Sequence, residues 1–210
     1  MTMHDAYMIG ANWLKPGFAP EFQERSKCQV CHTTESMDHI LTKCQANGQA
    51  HVWQLAKKLW HKKNKTNLAI PIGTILASPS ITFKENEKKK CGASRMYRLI
   101  MSESAYLIWK IRCERVIQME GEEIPLNKIN NRWIEIMNAR LDLDRKMTHS
   151  KYKKKSLSKK LVQNTWKNTL RDERLLPEDW VTNSGVLVSI DLRDDDRRGQ
   201  DRPPIPDQEV

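Results

Sequence analysis

Long apolar runs are missing from this 210-residue chain. Nothing in it approaches the roughly 18 consecutive apolar residues that cross a bilayer as a helix. The chain therefore reads as intracellular, in nucleus or cytoplasm, with no membrane partner. Glycine is scarce, at eight residues, and none of it builds a phosphate-cradling loop. Carboxylates that serve a metal-dependent nuclease or polymerase must be held on rigid elements. Asp191, Asp194, Asp195 and Asp196 lie instead in an arginine-studded tail, and Glu122 and Glu123 have no histidine or lysine partner at useful spacing. No catalytic site is expected. Strand signals are confined to Ser184–Ile190, and there is no internal repeat. The five cysteines are an odd number and no signal peptide precedes them, which argues against a disulfide framework. Hydrophobic residues make up only 39%, below the usual globular share. Several modest helical clusters with solvated connectors are expected, with no single large core.

What is present is concentrated early. Cys28 and Cys31 are separated by two residues, His39 follows after seven more, and Cys44 after a further four. Three thiolates and one imidazole satisfy Zn²⁺, which takes four soft or borderline ligands at tetrahedral corners. The two-residue gap lets a tight turn bring both sulfurs to one ion, and a short helix capped by Ser36 can present His39 and Cys44 together. The set spans 17 residues, the scale of a zinc knuckle. His32 is the spare ligand candidate, less suited because it adjoins Cys31. A redox pair is the competing reading of Cys-x-x-Cys, but such a pair opens a helix within a βαβ pattern, and none surrounds Cys28.

Positive charge is the second feature. The net charge is +10, and the tail at 191–210 is acidic, so the rest of the chain is more basic still. A body of this sign attracts polyanions, nucleic acid first among them. Residues 146–160 hold seven lysines, with Tyr152 placed to stack on a base. The expected contacts are Lys151, Tyr152, Lys153, Lys154 and Lys155, followed by Lys160, Lys167 and Arg171 on one face of the next helix. A nuclear-import patch or a solvated linker would have the same composition.

The periodicity predicts a mostly α fold. Val52, Leu55, Ala56 and Leu59 stripe a helix over 48–62, with Trp53 and Trp60 beside it. A second helix runs over 94–119 and a third over about 127–146, striped by Ile129, Trp133, Ile136 and Leu143. These two are expected to form an antiparallel hairpin. A fourth, over 156–173, turns Leu157, Leu161, Val162, Trp166 and Leu170 inward. The expected organisation is a zinc-knuckle-like N-terminal segment with the first long helix (1–62), a flexible connector (63–93), a helical hairpin or bundle (94–190) and a disordered acidic-basic tail (191–210). Met1 to Pro20 has no opening structural unit and reads as the continuation of something longer.

Particular residues also resemble a known family. They are His4-Asp5-Ala6-Tyr7 with Ile9-Gly10 and Trp13; Cys28, Cys31, Glu35-Ser36, His39-Ile40-Leu41 and Cys44; the run Ser102 to Lys110; Arg112-Cys113-Glu114-Arg115; Asn131-Arg132-Trp133; Leu176 to Trp180; and Ser184 to Val188. Their order resembles the C-terminal region of fungal non-LTR retrotransposon polyproteins, the reverse-transcriptase zinc-binding region downstream of ribonuclease H, over nearly all of residues 4–190. The resemblance implies nucleic-acid engagement during target-primed insertion, contact with other polyprotein domains, and metal ligation by Cys28, Cys31, His39 and Cys44. The polymerase and ribonuclease H domains of such elements have no counterpart here, so their activities are not expected of this chain. The leading expectation is an orphan or fragmentary zinc- and nucleic-acid-binding module. The alternatives are a helical protein-interaction module with a structural zinc, or a decayed element fragment without function.

Overall fold

A computed structural model of the chain describes residues 7–119 and 121–190. The first elements are short: a 3₁₀ turn at Gly10–Leu14, helix α1 (Pro20–Gln23) and another 3₁₀ turn at Glu24–Ser26. After a loop and a wide helical turn at His39–Lys43 come α2 (Gln49–Asn64) and α3 (Ile72–Ala77). The strands β1 (Lys84–Glu85) and β2 (Lys88–Lys89) form a two-stranded hairpin. Helices α4 (Cys91–Ile117), α5 (Leu126–Lys146) and α6 (Lys159–Trp166) complete the framework.

The expected stripe of α2 is buried, and α4 lies between α2 on one side and α6 on the other. The α4–α5 hairpin is antiparallel and tied by polar rungs. Glu114 meets Arg132, Ser104 accepts from the Trp133 indole at 3.0 Å, Glu103 meets Arg140 at 3.2 Å, and Arg95 grips Asp144. Trp166 of α6 donates to the same Asp144 carboxylate at 2.8 Å, so one buried acid joins three helices. At Gly92 a Cβ would lie 2.3 Å from the Asn164 carbonyl oxygen, so only glycine lets α4 and α6 come this close.

Three expectations need correction. Nearly all the described buried apolar residues form one large cluster spanning all the long helices, with a small second one at Cys28, Cys44 and Ala46, where several modest ones were expected. Five of the seven tryptophans are buried, and each large ring contributes far more apolar area than the hydrophobic percentage suggests. The 63–93 segment is not a plain connector. Leu68 and Ile75 enter the core, and Phe83 packs its ring 5.1 Å from Trp60 and 5.3 Å from Tyr97. The fourth helix stops at Trp166, because Asn168 and Asp172 take left-handed backbone conformations and the chain turns away. Arg171 and Ser189 then donate backbone N–H groups to Leu187 and Thr169, which gives the strand-like 184–190 run an isolated bridge and no sheet. The 191–210 tail, expected to be disordered, lies outside the described residues, as do Glu120 and residues 1–6. No helix among the described residues is long and apolar enough to cross a membrane.

Candidate metal centre

A narrow hairpin loop presents the first two cysteines. Lys27 bridges to Thr34, the Cys28 N–H donates to the Thr33 carbonyl at 2.8 Å, and the His32 N–H returns to the Cys28 carbonyl at 2.8 Å. Closing so tight a loop forces His32 to φ +55°, and its ring is not among the gathered donors. The spare-ligand reading is therefore set aside in favour of His39. Ser36 Oγ accepts the His39 N–H at 3.0 Å, as expected of a residue opening the next turn.

That turn explains the four-residue gap before Cys44. The Cys44 N–H bonds the His39 carbonyl five residues back, at 2.8 Å. An ordinary α-helix would swing residues five apart onto different faces, whereas this wider i→i+5 turn stacks one above the other. The widening also frees the Leu41 carbonyl, which accepts from the Trp53 indole at 2.7 Å and from Gln49 at 3.0 Å. Helix α2 thereby clamps the turn from outside.

Cys28, Cys31, His39 and Cys44 converge with their ligand atoms within 4.8 Å of one another. The Cys28 and Cys44 sulfurs are 3.8 Å apart. Two zinc–sulfur bonds of about 2.3 Å at a tetrahedral angle would separate their sulfurs by about the same distance. His39 Nδ1 lies 3.4 Å from Thr33 Oγ1, while its Nε2 is buried without a hydrogen-bond partner. A ligating histidine is oriented in this way, one ring nitrogen held by the protein and the other left for the metal. Cys31 is half-buried and accepts the Gln45 N–H at 3.3 Å; the other three ligands are buried. The donor set and spacing are compatible with zinc. Cys91, which opens α4 at the surface, and the half-buried Cys113 stand outside it.

The thiols are not equivalent. Burial pushes Cys28 up, but N–H groups of Cys31 and Val30 and the His39 side chain outweigh it and bring the thiol to about 7. Burial pushes Cys44 up to about 11, with the charge of Arg115 opposing. Comparison with family models, curated proteins and solved structures finds no match to this chain. The geometry itself must carry the functional reading.

The lysine-rich candidates are only partly gathered. Lys151, Lys153, Lys154 and Lys155 are exposed in a 3₁₀ segment (Ser150–Lys155) that kinks at Lys153, and Lys151 sits over the Tyr152 ring at 5.0 Å. Lys160 is exposed on α6. Lys167 and Arg171 are exposed too, but they lie beyond the end of α6 and do not share its face, which corrects the single-face expectation. Residues not singled out for the site turn out to hold it. Glu35, buried in the loop between Cys31 and His39, forms a two-pronged ion pair with Arg112 of α4. Arg115, one turn on, reaches the Cys28 sulfur. A signal was available: Ile108, Ile111, Arg112 and Arg115 recur at i, i+3, i+4 and i+7, so both arginines fall on the apolar stripe.

Proposed function

We propose that this chain is a zinc-stapled helical module that binds nucleic acid without sequence preference and has no catalytic site of its own. The single observation that carries the zinc part is the orphaned, buried His39 Nε2 amid three converging thiols. Such a centre is structural in type, since four protein ligands leave no open position. For nucleic acid, the support is charge and exposure. The net charge of +10 is displayed in part by the exposed run of Lys151, Lys153, Lys154 and Lys155, with Lys160 on the adjoining helix. A cavity of about 330 Å³ near the C-terminal end of α2 is lined by Lys57, Lys58, His61 and Lys62 together with Leu59, Asn67, Ser189 and Ile190. The ordered residue matches of the retrotransposon zinc-binding region fit the same reading, in which the chain serves as the C-terminal module of a reverse transcriptase.

The test is fluorescence anisotropy with single-stranded oligonucleotides over a salt series. Each phosphate contact contributes about 0.7 to 0.9 to the slope of log affinity against log salt. Changing Lys153, Lys154, Lys155, Lys160 and Lys167 together to glutamine should flatten that slope by about 3 to 5 units. An unchanged slope with helicity intact would remove these lysines from the interface and leave them as an import patch or linker. One observation favours a protein partner instead. Trp13, Phe18 and Phe22 form an aromatic group with Arg25 against it, and Met8, Leu14 and Phe22 remain exposed beside it. Binding to such a surface would be nearly insensitive to salt.

A further inference from the structure

Arg115 is buried to 3% exposure, which is costly for a cation without an anionic partner. Two other basic residues of α4 have such partners: the half-buried Arg95 holds Asp144, and the buried Arg112 holds Glu35. Arg115 has no carboxylate among the described residues. Its Nε is buried without a hydrogen-bond partner, and its Nη2 points at the Cys28 sulfur, 3.9 Å away. The cavity bordered by Arg115, Cys44 and Ile111 is about 20 Å³. That holds one water at most, which could satisfy a donor but supplies no charge. Glu35 holds Arg112 through both of its oxygens, and no ion pair joins it to Arg115.

We infer that Arg115 is the built-in counter-charge of the metal centre, a positioning residue that holds the zinc–thiolate cluster against α4. The inference rests on the zinc reading and follows from charge balance. Zinc takes cysteines as thiolates and histidine as the neutral ring. Three thiolates, one imidazole and Zn²⁺ sum to a charge of −1. Buried beside a helix, that charge needs one cation, and the only unmatched buried one described is Arg115. Zinc loading and the seating of the C-terminal part of α4 are then one event. The metal supplies the anion that makes Arg115 tolerable in the interior, and Arg115 strengthens the hold on the metal.

The test compares Arg115→Met, which keeps much of the volume and removes the charge, with Arg115→Lys, which keeps the charge. The exposed Arg98→Met on the same helix controls for net charge. Zinc affinity is read by chelator competition in the full chain, with the thiolate-to-cobalt absorption of the Co²⁺-loaded protein as a second readout. Arg115→Met should bind zinc about 10- to 100-fold more weakly, the usual cost of losing a partner one shell out from the metal. Arg115→Lys should recover most of that loss, and Arg98→Met should match the wild type. If Arg115→Met does not fold, Arg115→Gln takes its place against Arg115→Lys. Equal affinities for the charged and uncharged variants would overturn the inference, because a packing role alone moves stability and leaves that ratio near one. A wild-type chain that takes up no zinc would overturn the reading beneath it as well, which is a separate and distinguishable result.

Discussion

Replacing Glu35 by glutamine should show how firmly the candidate metal-site loop is locked to α4. The Glu35 side chain is 1% exposed and that of Arg112 is 7% exposed. Arg112 Nε donates to Oε1 at 3.2 Å, and its second nitrogen donates to Oε2. Removing one member of a buried pair costs about 3–5 kcal/mol, because the remaining charge stays in the interior uncompensated. Glutamine preserves the shape and retains one acceptor, worth about 1 kcal/mol. The expected loss for E35Q is therefore about 3 kcal/mol. With a urea slope of about 2 kcal/mol/M, the unfolding midpoint should fall by about 1.5 M. The assay is urea unfolding followed by tryptophan fluorescence, with zinc in excess for both proteins so that metal loading does not differ. Replacing the whole pair, Glu35→Leu with Arg112→Met, should restore most of the loss, since an apolar pair carries no desolvation cost. A midpoint for E35Q within about 0.3 M of wild type would refute the claim that this pair locks the loop to the helix.

Gly92→Ala should destabilise by about 3 kcal/mol, at the upper end for overpacking, because the new methyl meets main chain that cannot rotate away. Thermal melting would show it, and a melting temperature equal to wild type would mean that α4 and α6 are not in backbone contact. Glu114 gives a pH dependence. The hydrogen bond from Arg132 holds its carboxyl below the ordinary range. A lowered acid stabilises the fold fully above its unfolded value of about 4.3, and that contribution is lost as pH falls through the lowered one. Glu114→Gln should thus flatten the acid limb of stability below about pH 4.3, and an unchanged limb would show that the Arg132 contact is not felt in solution.

The helices were legible wherever an apolar stripe was regular, as at Val52, Leu55, Ala56 and Leu59, and wherever a cap was local, as at Ser36. The metal set was legible because its four members lie close in sequence and carry restrictive chemistry. Irregular contributors were not. Leu68, Ile75 and Phe83 reach the core from a segment without periodicity, and nothing local marks Phe83 as a neighbour of Trp60. The end of α6 was misread because Leu170 continues the stripe, while the left-handed turns at Asn168 and Asp172 override it. Arg112 and Arg115 are charged residues on an apolar stripe, and the stripe does not name what they meet. Their partners, Glu35 and Cys28, are 77 and 87 residues away, and no local pattern encodes contacts of that range.

Metal content tests the central claim most directly. The chain should be purified without added metal and its zinc measured by elemental analysis, with thiol titration in parallel. About one equivalent per chain is expected, with Cys28, Cys31 and Cys44 protected and Cys91 free to react. His39→Ala should release the metal, and Cys91→Ser should retain it. Less than about 0.2 equivalents, with every thiol freely titratable, would contradict a structural zinc site and the account built on it.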